Sequence, residues 1–253
     1  MVEVKNLTKS FEDHLVLDDI SLDVKQGENA VVFGRSGTGK SVLLKCIVKL
    51  LIPESGEIIV DGKNVYNLKE KDLNELRKSI GFLFQGSALY DSMTVRENLE
   101  FPLIRNKKEI SASERLEKVK KALKDVSLED AIDKMPDELS GGMKKRIGLA
   151  RTIISEPKLI LYDEPTTGLD PITVKEISQL IKDLQKDLNV TSIIVTHDLL
   201  CAQIISDRAI VLNEGKIIYD GGLEELTTSE DKFLRDFFTN ENINAKNGSI
   251  NGK

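Results

Sequence analysis

The run Gly34-Arg35-Ser36-Gly37-Thr38-Gly39-Lys40-Ser41 fits the pattern G-x-x-x-x-G-K-[ST]. It follows a short apolar run, residues 30–33, that reads as a strand. It precedes a helical pattern that carries Val42, Leu43, Ile47 and Leu50 on one side. Strand, glycine loop and helix in that order make an anion trap. The glycines let the backbone curl until successive N–H groups point at phosphate oxygens, and the helix starting near Lys40 adds the positive end of its dipole. Lys40 brings charge to the β- and γ-phosphates of a nucleotide, and the Ser41 hydroxyl is an oxygen ligand for Mg²⁺.

The rest of the chain fits around this unit. Residues 20–24 alternate apolar and polar, Gln26-Gly27-Glu28 is a turn, and Pro53-Glu54-Ser55-Gly56 ends the first helix. Residues 57–60 with Asp61-Gly62 read as a strand and a tight turn. From Lys158 onward, apolar runs at 159–162, 192–195, 209–212 and 216–219 alternate with helical stretches at 172–188 and 199–205, and Glu214-Gly215 joins the last two runs. Such alternation argues for an α/β fold, a parallel sheet with helices on both faces. Residues from about 91 to 139 show helical charge patterns, as at 109–124, and no convincing strand. A helical subdomain inserted into the α/β core is expected there.

Composition excludes some functions. The 36 Lys and Arg against 42 Asp and Glu leave a net charge of −6, which argues against a dedicated nucleic-acid binder. No signal-peptide pattern opens the sequence, and no apolar run approaches the roughly 18 residues of a membrane helix. Any membrane contact is therefore expected through a partner. Cys46 and Cys201 stand in apolar stretches far apart in the chain and read as buried, inert thiols.

Two further segments carry chemistry. Leu159-Ile160-Leu161-Tyr162-Asp163-Glu164 is an apolar strand ending in two carboxylates, and paired like charges need a reason. A divalent cation supplies one: Asp163 holds Mg²⁺ directly or through water, and Glu164 orients and deprotonates an attacking water. Leu139-Ser140-Gly141-Gly142-Met143 precedes a helical run, with Ser140 as N-cap and two glycines exposing backbone N–H groups. On its own this is either an ordinary capped helix start or a second anion site. His197 follows Val195-Thr196 at a strand end, a place for a site in an open α/β sheet or for a structural histidine.

The glycine loop, Gln85, the segment from Leu139 to Met143, Asp163-Glu164, Gly168-Leu169-Asp170 and His197 occur in the order and spacing of the ABC-type ATPases. From about residue 2 to 226 the chain resembles the nucleotide-binding subunit of an ABC transporter. The resemblance implies a P-loop NTPase core with a mostly parallel sheet, an antiparallel β subdomain and a helical subdomain inserted at about 91–155. The ATPase domain would span 1–239, followed by a tail at 240–253 rich in Asn, Gly, Ser and Lys. ATP and Mg²⁺ would be the cofactors, and a second copy of the chain the partner in a head-to-tail dimer that sandwiches two ATPs. Phe11, otherwise as readable as a core aromatic, resembles the ring that stacks on adenine. Gln85 resembles the glutamine that senses Mg²⁺ and contacts the membrane subunit. Ser140, Gly141 and Gly142 resemble the signature that grips the γ-phosphate bound to the opposite protomer. Glu164 resembles the catalytic base, Asp170 the D-loop aspartate, and His197 the switch histidine on the γ-phosphate. Two positions depart from the common pattern: Met143 replaces a glutamine, and Phe11 replaces a tyrosine while keeping the stacking face.

Residues 84–98, Phe101-Pro102-Leu103, residues 135–143 and residues 168–173 together are similar to the phospholipid-trafficking ATPases of the maintenance-of-lipid-asymmetry type, which work with an MCE-domain protein. In that subgroup Met143 is a point of agreement. The likeness implies a peripheral subunit at the cytoplasmic face of the inner membrane, joined to an integral membrane permease, an MCE-domain protein and a small regulatory subunit. Other cargoes, such as lipoproteins or small solutes, and a scaffold role of the cell-division type are the alternatives; Glu164 argues against the last. Lys144-Lys145-Arg146 reads as a solvated helix face, and His14, which matches no motif, as a surface residue. Residues 231–239 place Phe233, Leu234, Phe237 and Phe238 on one helical face, either capping the core or docking on a partner.

Overall fold

The computed structural model describes residues 1–106 and 110–227. β1 (Val2–Phe11) and β2 (His14–Val24) form an antiparallel hairpin, and β3 (Asn29–Phe33) then leaves for a second sheet. α1 (Lys40–Ile47) follows the glycine loop. β4 (Ser55–Val60) pairs with β1 and turns through Asp61 and Gly62, both at positive φ, into β5 (Lys63–Asn64). These strands make a four-stranded antiparallel sheet of order β2-β1-β4-β5. α2 (Glu70–Lys78) leads to β6 (Ile80–Leu83), followed by α3 (Val95–Asn106), α4 (Ala112–Asp125) and α5 (Gly141–Ile153). β7 (Leu159–Asp163), α6 (Pro171–Leu188), β8 (Thr191–Thr196), α7 (Leu199–Ile205), β9 (Arg208–Asn213), β10 (Lys216–Gly221) and α8 (Leu223–Thr227) complete the described chain.

The second sheet has six strands in the order β10-β9-β3-β8-β7-β6. All of its pairings are parallel except that of β10 with β9, which are joined by a tight turn at Glu214 and Gly215, both at positive φ. Both faces of the parallel strands are covered, so their sequences read as unbroken apolar runs. Val31 and Phe33 of β3, Ile160 and Tyr162 of β7 and Ile194 of β8 point into one core, shared with α3 to α7. Ala30 and Val32, Leu159 and Leu161, and Ile193 and Val195 point into the other, shared with α1 and the antiparallel sheet. The alternation follows from the period of two along a strand.

Between β6 and β7 the described residues hold three helices and short 3₁₀ turns and no strand, as expected. α4 opens on a capping box, Ser111 accepting from the Glu114 N–H while the Glu114 carboxylate accepts from the Ser111 N–H. One expectation fails in α1. The helix stops at Ile47, and Leu50 lies beyond it and exposed, because Lys49 takes a left-handed φ of 54° and turns the chain. Cys46 and Cys201 are fully buried thiols, and burial pushes them up to about 11 and about 12. The apolar face at 231–239 and the tail at 240–253 lie outside the described residues.

Candidate functional site

β3, β8 and β7 are neighbours in that order and run in the same direction, with Phe33 level with Thr196 and Asp163 level with Val195. The segments that leave their C-terminal ends therefore meet at one edge of the sheet, as in open α/β folds generally. These segments are the glycine loop after β3, Glu164 after β7 and His197 after β8. A cleft of about 630 Å³ opens there, lined by Phe11, Ser36, Gly37, Gly39, Lys40, Ser41, Gln85, Glu164 and His197. Its size suits a small-molecule ligand.

Gly39 sits at the N-cap of α1 with φ +99°, and a Cβ there would lie 2.8 Å from the Val16 carbonyl oxygen. Only glycine fits that turn and that contact together. The turn folds the next side chain back into the loop. Lys40, 5% exposed, donates from Nζ to the carbonyls of Gly34 (2.7 Å) and Arg35 (3.1 Å) and stands 3.4 Å from Glu164 Oε1. Thr38 Oγ1 also donates to the Arg35 carbonyl, at 2.9 Å. Ser41 donates from Oγ to Asp163 Oδ1 at 2.6 Å, joining α1 to the end of β7.

Glu164 is the hub. Its N–H donates to the Val195 carbonyl at 2.9 Å, prolonging the β7–β8 ladder by one bond. Its φ of 50° then turns the chain sharply, a strained choice for a residue with a Cβ. Oε2 lies 2.9 Å from His197 Nδ1 and accepts from Thr167 Oγ1 at 3.2 Å. Burial alone would raise this carboxyl. The hydrogen bond and charge of His197, the Lys40 ammonium and Thr167 outweigh burial and hold it below the ordinary carboxylate range. An ionised carboxylate facing a phosphate-sized cradle can accept a proton from a water attacking there.

Phe11 is 43% exposed, which rules out the reading of it as a core ring. It stands at the mouth of the cleft, with Lys9 Nζ 5.1 Å from its centroid. Four wall residues carry no sequence motif: His14, Val16, Val42 and Thr167. His14 is exposed as expected, but it pairs with Phe11 across the β1–β2 turn and so faces the cleft. The two-residue turn Glu12-Asp13 was the signal that could have placed it.

Ser140, Gly141, Gly142 and Asp170 do not line this cleft. Ser140 caps α5, accepting from the Met143 N–H at 3.2 Å, and Asp170 caps α6, accepting from the N–H groups of Ile172 (3.0 Å) and Thr173 (3.1 Å) and from the Thr173 hydroxyl (2.5 Å). The two caps are neighbours, since a Cβ on Gly142 would lie 2.9 Å from Thr173 Cγ2. Together they form a second, exposed patch.

The basic run on α5 is not the solvated face expected of it. Lys145 is 6% exposed, and its Nζ donates to the carbonyl of Gln85 and, at 3.4 Å, to that of Glu164. Burial lowers its pKa against the raising charges of Glu164 and Asp163. Lys144 and Arg146 are half-buried, and Arg146 pairs with Glu176 at 2.9 Å. The helical phase was the missed signal: Lys145 shares a face with the buried Gly148, Leu149 and Thr152.

A separate groove of about 360 Å³ runs along β6, walled by Phe82, Phe84, Tyr90, Pro102, Arg77 and Arg151. No helix among the described residues is long and apolar enough to cross a membrane.

A glycine loop that cradles anions, facing an ionised carboxylate at the edge of a parallel sheet, defines a P-loop nucleoside triphosphatase. The ABC transporter family model matches residues 17–167, and the chain belongs to that family as one of its ATP-binding, ATP-hydrolysing members. It is 41% identical over 242 residues to a protein of Mycobacterium leprae described as a probable ribonucleotide transport ATP-binding protein, covering 96% of this chain and 70% of that one. It is also 41% identical over 241 residues to MlaF, the intermembrane phospholipid transport system ATP-binding protein of Haemophilus influenzae, covering 95% of this chain and 91% of that one. Among solved structures, an ATP-binding cassette described as a dimer in a post-hydrolysis state with ADP and Pi superimposes with a TM-score of 0.81, at 35% identity over 88% of this chain and 99% of that one.

Proposed function

We propose that this chain hydrolyses ATP in the cleft between the glycine loop and Glu164 and thereby drives phospholipid movement through a membrane-embedded partner subunit. The observation that carries the catalytic part is the placement of Glu164, an ionised carboxylate held by His197, Lys40 and Thr167 directly across from the phosphate cradle. The match to MlaF over 91% of that protein supports the cargo, together with the similarity of residues 84–103 to the phospholipid-trafficking ATPases. The equal identity to the ribonucleotide transport relative favours small-solute transport as the second reading.

Phe11 stacks on the adenine, and the backbone N–H groups of residues 34–39 with Lys40 take the phosphates. The phosphates compete with Glu164 for the Lys40 ammonium, and that competition frees the carboxylate to accept the proton of the attacking water. His197, bonded to Glu164, stands where the terminal phosphate ends. The donor set beside the cradle fits Mg²⁺: Ser41 Oγ and Asp163 Oδ1 are hard oxygens 2.6 Å apart, with the Gln85 side chain on the same cleft. Bound there, Mg²⁺ would offset the charge of the phosphates. Ser140, Gly141, Gly142 and Asp170, displayed outside the cleft, serve the nucleotide on a second copy of the chain. The groove along β6 takes the permease, and the protein then lies at the cytoplasmic face of the cell membrane in this reading. An MCE-domain protein and a small regulatory subunit belong to the same reading.

Replacing the chromosomal gene by a Glu164→Gln allele tests both parts. The purified variant should bind ATP and lose ~10²–10⁴-fold in turnover. The cells should become detergent-sensitive through a damaged lipid barrier while small-solute uptake stays normal. Near-normal hydrolysis would overturn the catalytic assignment. An intact barrier with defective solute uptake would move the cargo to the second reading.

A further inference from the structure

Beyond Leu83 and Tyr162 the paired strands β6 and β7 part company. The β7 chain continues to Glu164, which spends its N–H on Val195 of β8, while the β6 chain turns away into residues 84–94. This leaves the carbonyls of Gln85 and Glu164 facing the same gap, and two acceptors cannot satisfy each other. The Lys145 ammonium fills the gap. It comes from α5, is almost fully buried, and donates to both carbonyls. A charged donor inside the protein makes a stronger bond than a neutral one, and removing it would leave the Gln85 carbonyl without a donor and the Glu164 carbonyl with only the Thr167 N–H, at 3.4 Å. One of these carbonyls belongs to the residue whose backbone is strained at φ 50° and whose side chain is the base. Strain of that kind persists only where surrounding contacts over-determine the conformation.

We propose that Lys145 is a positioning residue for hydrolysis: by clamping the Glu164 carbonyl to that of Gln85, it holds the Glu164 backbone in the turn that aims its carboxylate into the cleft. The lysine lines no part of the cleft and does not touch the nucleotide in this reading. The inference rests on Glu164 being the base.

The test uses the purified full chain carrying Lys145→Met, Lys145→Gln and Lys145→Arg, assayed below the melting temperature of each. With Lys145→Met, kcat should fall about 10²-fold, the typical consequence of a misplacement near 1 Å, while KM for ATP stays within about twofold. Lys145→Arg, which keeps the charge and the donors, should stay within about threefold of the parent. In a Glu164→Gln background, Lys145→Met should cost nothing further, because residues acting as one unit are not additive. A folded Lys145→Met variant with parental kcat would overturn the proposal. So would a loss confined to KM, or a full additional loss on the Glu164→Gln background. If Lys145→Met does not fold, parental kcat in folded Lys145→Gln overturns it equally. Full activity in Glu164→Gln alone would instead refute the base assignment, which separates the two failures.

Discussion

Asn98 lies on α3's inner face with Val95 and Leu99 and is fully buried, yet it is polar. Its Oδ1 accepts from the Tyr90 N–H at 2.8 Å, and its Nδ2 donates to the carbonyls of Tyr90 (3.1 Å), Met93 (3.0 Å) and Thr94 (3.0 Å). One side chain thus satisfies the backbone of the loop that ends in α3. The same loop presents Tyr90 to Phe101, with ring centroids 4.9 Å apart, and to the Arg151 guanidinium, 4.8 Å from the ring. Asn98→Ala leaves the Tyr90 N–H without its acceptor and the Met93 carbonyl without its donor, and should cost about 2 kcal/mol or more. Thermal unfolding would show this as a melting temperature lower by roughly 4–8 °C, at about 2–4 °C per kcal/mol for a chain of this size. An unchanged melting temperature would mean that water replaces the amide, and that the loop holds itself.

At the level of elements, the pairing of α5 with β6 decides where the Gln85 loop sits relative to Glu164. The two approach closely because each contributes a glycine. A Cβ on Gly81 of β6 would lie 2.6 Å from Thr152 Cγ2 and 3.1 Å from the Thr152 carbonyl, and one on Gly148 of α5 would lie 2.9 Å from Leu83 Cδ1. The closest obstacle at Gly81 is a β-branched residue whose own hydroxyl is tied to the Gly148 carbonyl at 2.8 Å, so it cannot swing aside freely. Gly81→Ala should therefore lower stability by about 1–3 kcal/mol through overpacking. In urea titration the midpoint should fall while the slope stays constant. Because α5 also carries Lys145, turnover should fall in the same variant, measured well below the midpoint.

For the whole molecule, the chain displays two glycine-flanked helix starts, of which only one lines the cleft. The cleft holds the glycine loop, and the exposed patch holds Ser140, Gly141 and the Asp170 cap. In the proposed reading, two copies placed head to tail bring both to one nucleotide. A linked heterodimer of a Lys40→Ala chain and a Ser140→Arg chain keeps one intact composite site. It should hydrolyse ATP faster than either mutant homodimer, as read by phosphate release. Turnover no higher than that of the separate mutants would overturn the shared-site reading.

The sequence by itself determined the local chemistry. The glycine loop is contiguous, so its turn, its helix start and its lysine are written in neighbouring residues. The apolar runs at 159–162 and 192–195 announce strands covered on both faces, and β7 and β8 are such strands. Helix caps at Ser140 and Asp170 are likewise local. Strand order is not local. Ladder bonds join backbone groups that are the same for every residue type, so nothing in the side chains of β3 or β7 says that β8 lies between them. That insertion is what sets His197 beside Glu164, between the loop and the carboxylates. The four-residue edge strand β6 and the helix before it gave too short a pattern to read. The helical phase puts Lys145 on the buried face of α5, but a basic triplet carries no sign of what packs over it. Only the tertiary structure showed two strand ends parting beneath it, and the Gln85 and Glu164 carbonyls turned into that gap are the reason a charge is buried at that place.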